Sequence, residues 1–193
     1  HNNMVYTLVS GKESNNIFRM PKYNYYGKLY YTDTWFDNKI DRHVTNFSAI
    51  HYPGQNNLSV RDGQLRAGSH SDYGSLTIVQ TNTDVGGLEV QSSKGKWEAV
   101  PWLPDSFVVN IGDLMAEWTN DRWVSTLHRV VNPPEGQQEI AKTSMLFFHQ
   151  PNYDAKIECI PTCVSSDNPA KYGKTTSGEH VTMKITKHRI EDE

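Results

Sequence analysis

Three residues of this chain carry side chains that could together hold a metal ion: His70, Asp72 and His128. His70 and Asp72 stand two positions apart, so on a β-strand their side chains would point to the same side. His128 comes much later, so we expect another strand to bring it to the same cavity. Two imidazoles and one carboxylate on one face of an octahedron form the ligand set of non-haem Fe(II) oxygenases. A His-x-Asp triplet is a weak signal alone, and the surrounding segments decide its meaning.

Four segments around these residues follow one another in a specific order. They are Gly68–Thr77, Asp84–Val90, Val109–Asp113 and Ser125–Pro134. In this order and spacing they resemble the catalytic half of the isopenicillin-N-synthase-like family of Fe(II)/2-oxoglutarate dioxygenases, over about residues 33–188. The resemblance implies Fe(II) on the three metal ligands and 2-oxoglutarate and O2 as cosubstrates, with ascorbate as a candidate additional reductant.

The cosubstrate pocket is where the sequence departs from the family pattern. The family holds the far carboxylate of 2-oxoglutarate with an Arg-x-Ser, and the matching stretch here runs from Lys142 to Ser144. Lysine keeps the positive charge but lacks the planar two-donor fork of arginine, so the pocket would hold 2-oxoglutarate less tightly or take a different acid. Tyr52 matches a family tyrosine that reaches the cosubstrate. The alternatives are a surface lysine at a strand start and a core tyrosine with a bonded hydroxyl.

The other polar candidates are assigned to structure rather than to catalysis. Asn110 and Asp113 are expected to shape the turn beside the metal, and Arg129 follows a ligand and therefore points away from it. His51 and His149 lie within predicted strands, as core or pocket-wall residues. The histidines in polar segments are predicted to be solvated: His43, His180 and His188.

Short apolar segments separated by Gly and Pro predict a mostly β fold, either a sandwich or a barrel. A double-stranded β-helix (jelly roll) with a few flanking helices can hold a metal between its sheets, and the resemblance implies the same fold. The first 32 residues are polar and show no clear period, whereas 176–187 reads as a helix with Ser177 as its cap. We predict one catalytic domain over 1–193: an N-terminal extension with a short helix (1–43), the β-helix core (44–160) and a C-terminal loop and helix (161–193).

Composition narrows the class of partner. The chain has 193 residues, 36% hydrophobic and 21% charged, which suits one globular domain. Its net charge of −3 without basic runs argues against nucleic acid or a membrane surface and favours a small-molecule substrate. The sequence shows neither an apolar stretch of membrane-spanning length nor a signal-peptide pattern, which predicts a cytoplasmic location. Cys159 and Cys163 are accordingly expected to be reduced thiols.

Members of the resembled family usually carry a helical region before the catalytic half, yet only residues 1–43 precede the first matching strand here. We therefore expect either a minimal or fragmentary member, or a second copy that covers the apolar sheet face in a homodimer.

The leading functional hypothesis is hydroxylation or desaturation of a small organic molecule, with release of succinate and CO2. Three alternatives stay open at this point. One is an iron-dependent oxidase that does not use 2-oxoglutarate, a second is a non-catalytic metal-binding module, and the third is a metal-dependent hydrolase that holds zinc.

Overall fold

The computed structural model describes residues 5–9, 34–54 and 63–191. The strands in these ranges are β1 (Val5–Val9), β2 (Asn46–Tyr52), β3 (Ala67–His70), β4 (Leu76–Thr81), β5 (Leu88–Gln91), β6 (Trp97–Ala99), β7 (Ser106–Ile111), β8 (His128–Val130), β9 (Lys142–His149), β10 (Lys156–Ile157) and β11 (Thr175–Thr176). The helices are α1 (Asp37–Ile40), α2 (Asp113–Trp118) and α3 (Ser177–Glu191), with a 3-10 turn at Pro161–Cys163.

Two antiparallel sheets form the body of the molecule. The larger sheet has the strand order β1-β7-β4-β9-β2, and the smaller sheet has the order β3-β8-β5-β6. Most neighbours are far apart in the chain, as when β4 lies between β7 and β9, and in these two sheets only β5 and β6 are both neighbours and consecutive among the described strands. This arrangement of two facing sheets confirms the predicted double-stranded β-helix. β10 and β11 form a separate two-stranded ribbon.

The alternation of side chains along the strands decides what faces the space between the sheets. On β9, Lys142, Ser144, Leu146 and Phe148 line that space, whereas Met145 points to the outside and is 40% exposed. The same period of two applies to the facing strands, because successive residues of a strand point to opposite sides. The inward residues are a mixture of polar and apolar side chains, which is typical of a ligand cavity.

The packed hydrophobic core lies to one side of the sheets, around α2. Its buried members are Phe36, Leu114, Met115, Trp118, Ile157, Ile160 and Cys163. The rings of Phe36 and Trp118 pack with their centroids 5.1 Å apart, and Leu114 is fully buried. Burial of these large side chains stabilises α2 against the 3-10 turn and β10. The turn that leads into α2 is thereby held in a fixed place next to the cavity.

Two features differ from the sequence-based expectation. β1 pairs with β7, although the sequence of β1 shows no clear hydrophobic period. Residues 1–4 and 10–33 of the predicted extension lie outside the described residues. The predicted cap of α3 is wrong: Thr176 Oγ1 accepts from the Glu179 backbone N–H (3.3 Å), and Glu179 accepts from the Thr176 N–H (3.0 Å). This reciprocal pair is a capping box, which makes Thr176 the cap and Ser177 the first helical residue.

Cys159 and Cys163 are both free thiols, as expected. None of the helices in the described ranges combines the length and the apolar character needed to cross a lipid bilayer.

Candidate metal centre and inner cavity

The two histidines lie directly opposite each other on neighbouring strands. His70 ends β3 and is the cross-strand partner of His128, the first residue of β8. His70 Nδ1 lies 2.8 Å from the Gly68 carbonyl oxygen, and His128 Nδ1 lies 3.0 Å from the Thr126 carbonyl oxygen. Because a carbonyl oxygen only accepts hydrogen bonds, each Nδ1 carries the proton, and each Nε2 keeps a lone pair for a metal ion.

Asp72 lies in the turn after β3, so the expectation that it shares a strand with His70 is wrong. Its Oδ1 is nevertheless 3.8 Å from His70 Nε2 and 3.5 Å from His128 Nε2. Its other oxygen, Oδ2, accepts a hydrogen bond from Asn110 Nδ2 at 2.7 Å. One carboxylate oxygen therefore faces both imidazoles, while the other is anchored to the larger sheet.

The three side chains fit a divalent metal ion. One ligand atom of each lies within 4.8 Å of the other two, and Asp72 is buried. Burial alone would raise the pKa of Asp72, but hydrogen bonding to His128 and Asn110 outweighs it and holds that pKa below its usual value. The carboxylate is therefore charged at neutral pH. Two neutral imidazole nitrogens and one carboxylate suit Fe(II), as the sequence analysis expected.

The backbone around Asp72 is fixed by the turn that precedes α2. The Asp113 N–H donates to the Asp72 carbonyl at 2.8 Å. A Cβ atom on Gly112 would lie 2.3 Å from the Gly74 carbonyl oxygen, so only glycine lets the two turns approach this closely. Asn110 and Asp113 thus lie where the sequence predicted, but the direct bond from Asn110 to the ligand carboxylate was missed.

Behind this turn, α3 is tied to α2 by a buried ionic cluster. His180 is 3% exposed. Its Nδ1 lies 3.2 Å from Glu117 Oε1, and its Nε2 lies 3.9 Å from Asp113 Oδ2. Lys184 Nζ lies 2.7 Å from the same Asp113 oxygen. Burial would lower the pKa of His180, but the neighbouring Asp113 and Glu117 carboxylates outweigh it and raise that pKa to about 9. The prediction that His180 is solvated is wrong. His188 lies outside the described side chains.

We call the space between the two sheets the inner cavity. Its volume is about 230 Å³, and its lining includes all six residues nominated from the sequence: His70, Asp72, His128, Lys142, Ser144 and Tyr52. Tyr52 and Lys142 are Cα partners across β2 and β9. Pockets for drug-sized ligands are typically about 300–1,000 Å³, so this volume suits a smaller molecule.

Lys142 is a buried cation without an acidic partner. It is 5% exposed, and its Nζ donates to the Gly86 carbonyl at 2.9 Å. Within the described ranges, no carboxylate oxygen lies within 4.0 Å of its Nζ. Burial, and secondly the charge of Arg66, lower the pKa of Lys142. A surface position for Lys142, which the sequence left open, is therefore wrong.

Arg66 was not singled out from the sequence, because it belongs to no motif. It lies just before β3, and its guanidinium carbon is 5.7 Å from the centroid of the Tyr52 ring. Its Nη2 donates to the Pro53 carbonyl at 3.2 Å. Arg66 therefore lies beside Tyr52, where β2 ends and β3 begins, and next to the lining residue Ala67, although the lining itself does not include Arg66.

A second opening, which we call the outer groove, lies against the other side of the metal ligands. Its volume is about 470 Å³, and it shares His70, Asp72 and Phe148 with the inner cavity. Tyr73 and Tyr153 add two further rings to its walls. A molecule in the outer groove would therefore lie beside the metal ligands, next to whatever occupies the inner cavity.

The remaining candidates have structural contacts. Arg129 pairs with Glu89 (Nε to Oε2, 2.7 Å), and its guanidinium lies 4.2 Å from the Trp97 ring centroid, away from the metal ligands as predicted. His149 is buried and shares a hydrogen bond between Nδ1 and Ser75 Oγ at 2.7 Å. Burial, and secondly the charge of His43, lower the pKa of His149 to about 4, so His149 is a neutral, buried residue of the sheet, and it lines neither the inner cavity nor the outer groove.

Comparison with known proteins points in the same direction as this geometry. Residues 42–151 match the 2OG-Fe(II) oxygenase superfamily. A homoarginine-6-hydroxylase of Oryza sativa subsp. japonica is 39% identical over 119 residues, which cover 61% of this chain and 35% of that protein. A validamycin A dioxygenase of Streptomyces hygroscopicus subsp. limoneus is 30% identical over 159 residues, which cover 82% of this chain and 43% of the relative.

Among solved structures, a full-length Neurospora crassa protein in complex with alpha-KG (2-oxoglutarate) and thymine superimposes with a TM-score of 0.74 at 33% sequence identity. The match covers 81% of this chain and 48% of that one. The chain thus spans less than half the length of these relatives.

Proposed function

Because this chain belongs to the 2OG-Fe(II) oxygenase superfamily, we propose that it hydroxylates or desaturates a small organic molecule, with His70, Asp72 and His128 as the ligands of Fe(II). The observation that carries this proposal is the convergence of the three donor atoms at one end of a cavity whose other end holds a buried, unpaired cation. A keto acid with a second carboxylate matches both ends at once.

With Fe(II) and 2-oxoglutarate bound, O2 would be the oxidant: one oxygen atom would enter succinate as 2-oxoglutarate loses CO2, and the other would oxidise the substrate, ending as a hydroxyl group or, in a desaturation, as water. The side chains of this protein bind and orient. Lys142 has three N–H donors, and among the described residues only the Gly86 carbonyl accepts from one of them, which leaves two for a carboxylate. Ser144 and Tyr52 add hydroxyl groups from the same wall of the inner cavity.

The walls between the two polar ends exclude water. They are built from β-branched and aliphatic side chains of both sheets: Val79, Leu88, Val90, Val108, Val130 and Leu146. An apolar wall strengthens the charge interactions at either end, since fewer water molecules compete for them. The inner cavity is therefore suited to hold one small dianion in a fixed orientation.

For the substrate, we propose a neutral molecule with a ring or an apolar body in the outer groove. Among the described residues, the lining of the groove has no Lys or Arg, and its one carboxylate is the metal ligand Asp72. A substrate cation or anion would find no countercharge there. The Neurospora crassa protein was solved with thymine, a neutral ring, whereas the Oryza sativa relative is named for homoarginine, a cation.

The test is mass-spectrometric detection of succinate formed from 2-oxoglutarate, with and without Fe(II), in the presence of a library of neutral and charged metabolites. We expect Fe(II)-dependent succinate that increases with a neutral substrate and disappears in Asp72→Ala and His128→Ala. The exposed Asp154→Ala serves as the control, since within the described ranges its carboxylate pairs with Arg42 at the surface and with no other residue. Normal succinate release by both ligand variants would refute the proposal. Oxygen consumption without succinate would favour the oxidase that does not use 2-oxoglutarate.

We also propose a homodimer, which would cover the outer face of the larger sheet. Phe47, Phe107 and Met145 point outward there and are 63%, 37% and 40% exposed. An apolar face of this kind favours association. Sedimentation at several concentrations tests the dimer, which a purely monomeric protein would exclude. The division into a single catalytic domain over 1–193 and the cytoplasmic location stay predictions.

A further inference from the structure

Two cations lie beside Tyr52, a residue of the inner-cavity lining: Lys142, which also lines the cavity, and Arg66, which does not. Lys142 begins β9 opposite Tyr52, the last residue of β2. Arg66 approaches the same tyrosine from β3, with its guanidinium carbon 5.7 Å from the ring centroid. His70 lies four residue steps along the chain from Arg66, roughly 13 Å at 3.3 Å per step of extended chain. Lys142 and Arg66 therefore flank Tyr52, on the side of the cavity away from iron.

Neither cation has an acidic partner in the part of the chain that the structure describes, where no carboxylate oxygen lies within 4.0 Å of either side chain. Each has one hydrogen bond to a backbone carbonyl, Lys142 to Gly86 and Arg66 to Pro53. Burial, and secondly the other cation, lower the pKa of Lys142. Two like charges near a buried position cost free energy unless an anion joins them.

We propose that Arg66 is a second anion-binding side chain of the inner cavity, which together with Lys142 selects keto acids that carry a far carboxylate. The proposal rests on the proposed function above. A lysine alone is a point charge, whereas a guanidinium brings several N–H donors in a fixed plane. Arg66 thereby supplies, from a different part of the chain, the planar group of N–H donors that Lys142 lacks. In this role Arg66 is a positioning and specificity residue, since it does not contact the reacting keto group.

The test compares binding of 2-oxoglutarate with binding of 2-oxopentanoate, which has a methyl group in place of the far carboxylate. Calorimetric titration of the Fe(II)-loaded full chain without oxygen gives both affinities independently of turnover. Charge-assisted hydrogen bonds are about twice as strong as neutral ones, so we expect Arg66→Gln to weaken 2-oxoglutarate binding about tenfold. The affinity for 2-oxopentanoate should change by less than about twofold, and Arg66→Lys should restore part of the preference.

The matched control is Arg42→Gln, which removes the same charge from an exposed pair with Asp154. It should leave both affinities unchanged. Equal loss of affinity for both keto acids in Arg66→Gln would show a merely structural role and overturn the inference. An unchanged preference in Arg66→Gln would also overturn it, while leaving the proposed function intact. If the unsubstituted protein binds neither keto acid, both the proposed function and this inference fail.

Discussion

The hydrogen bond from Asn110 to Asp72 is the contact whose removal tests the metal centre most directly. The bond is 2.7 Å long, both side chains are buried, and the acceptor is a charged carboxylate. Hydrogen bonds to charged groups contribute about 1.5–3 kcal/mol. In Asn110→Ala, Oδ2 of Asp72 loses its donor, so the carboxylate is free to turn away from the two imidazoles. At about 1.4 kcal/mol per factor of ten, we expect Fe(II) to bind roughly 10- to 100-fold more weakly.

The assay is an anaerobic competition between the protein and a coloured chelator for Fe(II), with circular dichroism to establish that each variant is folded. Asn82→Ala is the control, because the Asn82 side chain bonds to the Thr143 backbone N–H (2.8 Å) and is remote from the ligands. A folded Asn110→Ala protein with undiminished Fe(II) affinity would refute the reasoning. The position of Asp72 would then follow from its backbone contacts alone.

Three further perturbations test the elements around the site. His180→Gln should flatten the pH dependence of unfolding. The pKa of His180 is raised from 6.5 to about 9, so its stabilisation is full below pH 6.5 and is lost as pH rises through 9, by about 3 kcal/mol in denaturant titrations. Gly112→Ala should destabilise the fold by about 1–3 kcal/mol, measured by urea unfolding, because its Cβ would overlap the Gly74 carbonyl. Thr176→Val should lower the unfolding free energy by about 1 kcal/mol, measured by thermal melting, because the Glu179 N–H loses its cap.

Each of these perturbations has a control or an outcome that contradicts it. Gly173→Ala adds a Cβ that meets nothing within 4 Å, so it should be neutral where Gly112→Ala is not. An unchanged alkaline limb in His180→Gln would show that the ionic cluster does not stabilise the charged imidazole. A Thr176→Val protein as stable as the parent would mean that the capping box contributes nothing to α3.

The sequence predicted the fold and the candidate ligands because both are written in local patterns. Short apolar strands between Gly and Pro predicted a β sandwich or barrel, and the family resemblance implied the double-stranded β-helix. His70, Asp72 and His128 stand in the segments that carry this resemblance. The capping residue of α3 was also readable, since Glu179 stands three positions after Thr176, the spacing of a capping box.

Tertiary contacts explain what the sequence could not show. Asn110 reaches Asp72 from another strand, and no local pattern encodes that pairing. His180 looks solvated by composition, yet α3 docks on α2 and buries it between two carboxylates. Arg66 belongs to no motif and matters only because β3 begins beside the end of β2.

The position of the packed core to one side of the sheets has a thermodynamic consequence. Because the space between the sheets is a cavity rather than interlocked side chains, much of the cohesion between them must come from whatever occupies it. Any molecule that binds only the native form raises its stability by RT ln(1 + [L]/Kd), about 2.7 kcal/mol at a hundredfold excess over Kd. The resistance of this protein to heat and proteolysis should therefore follow the supply of metal and keto acid in its surroundings.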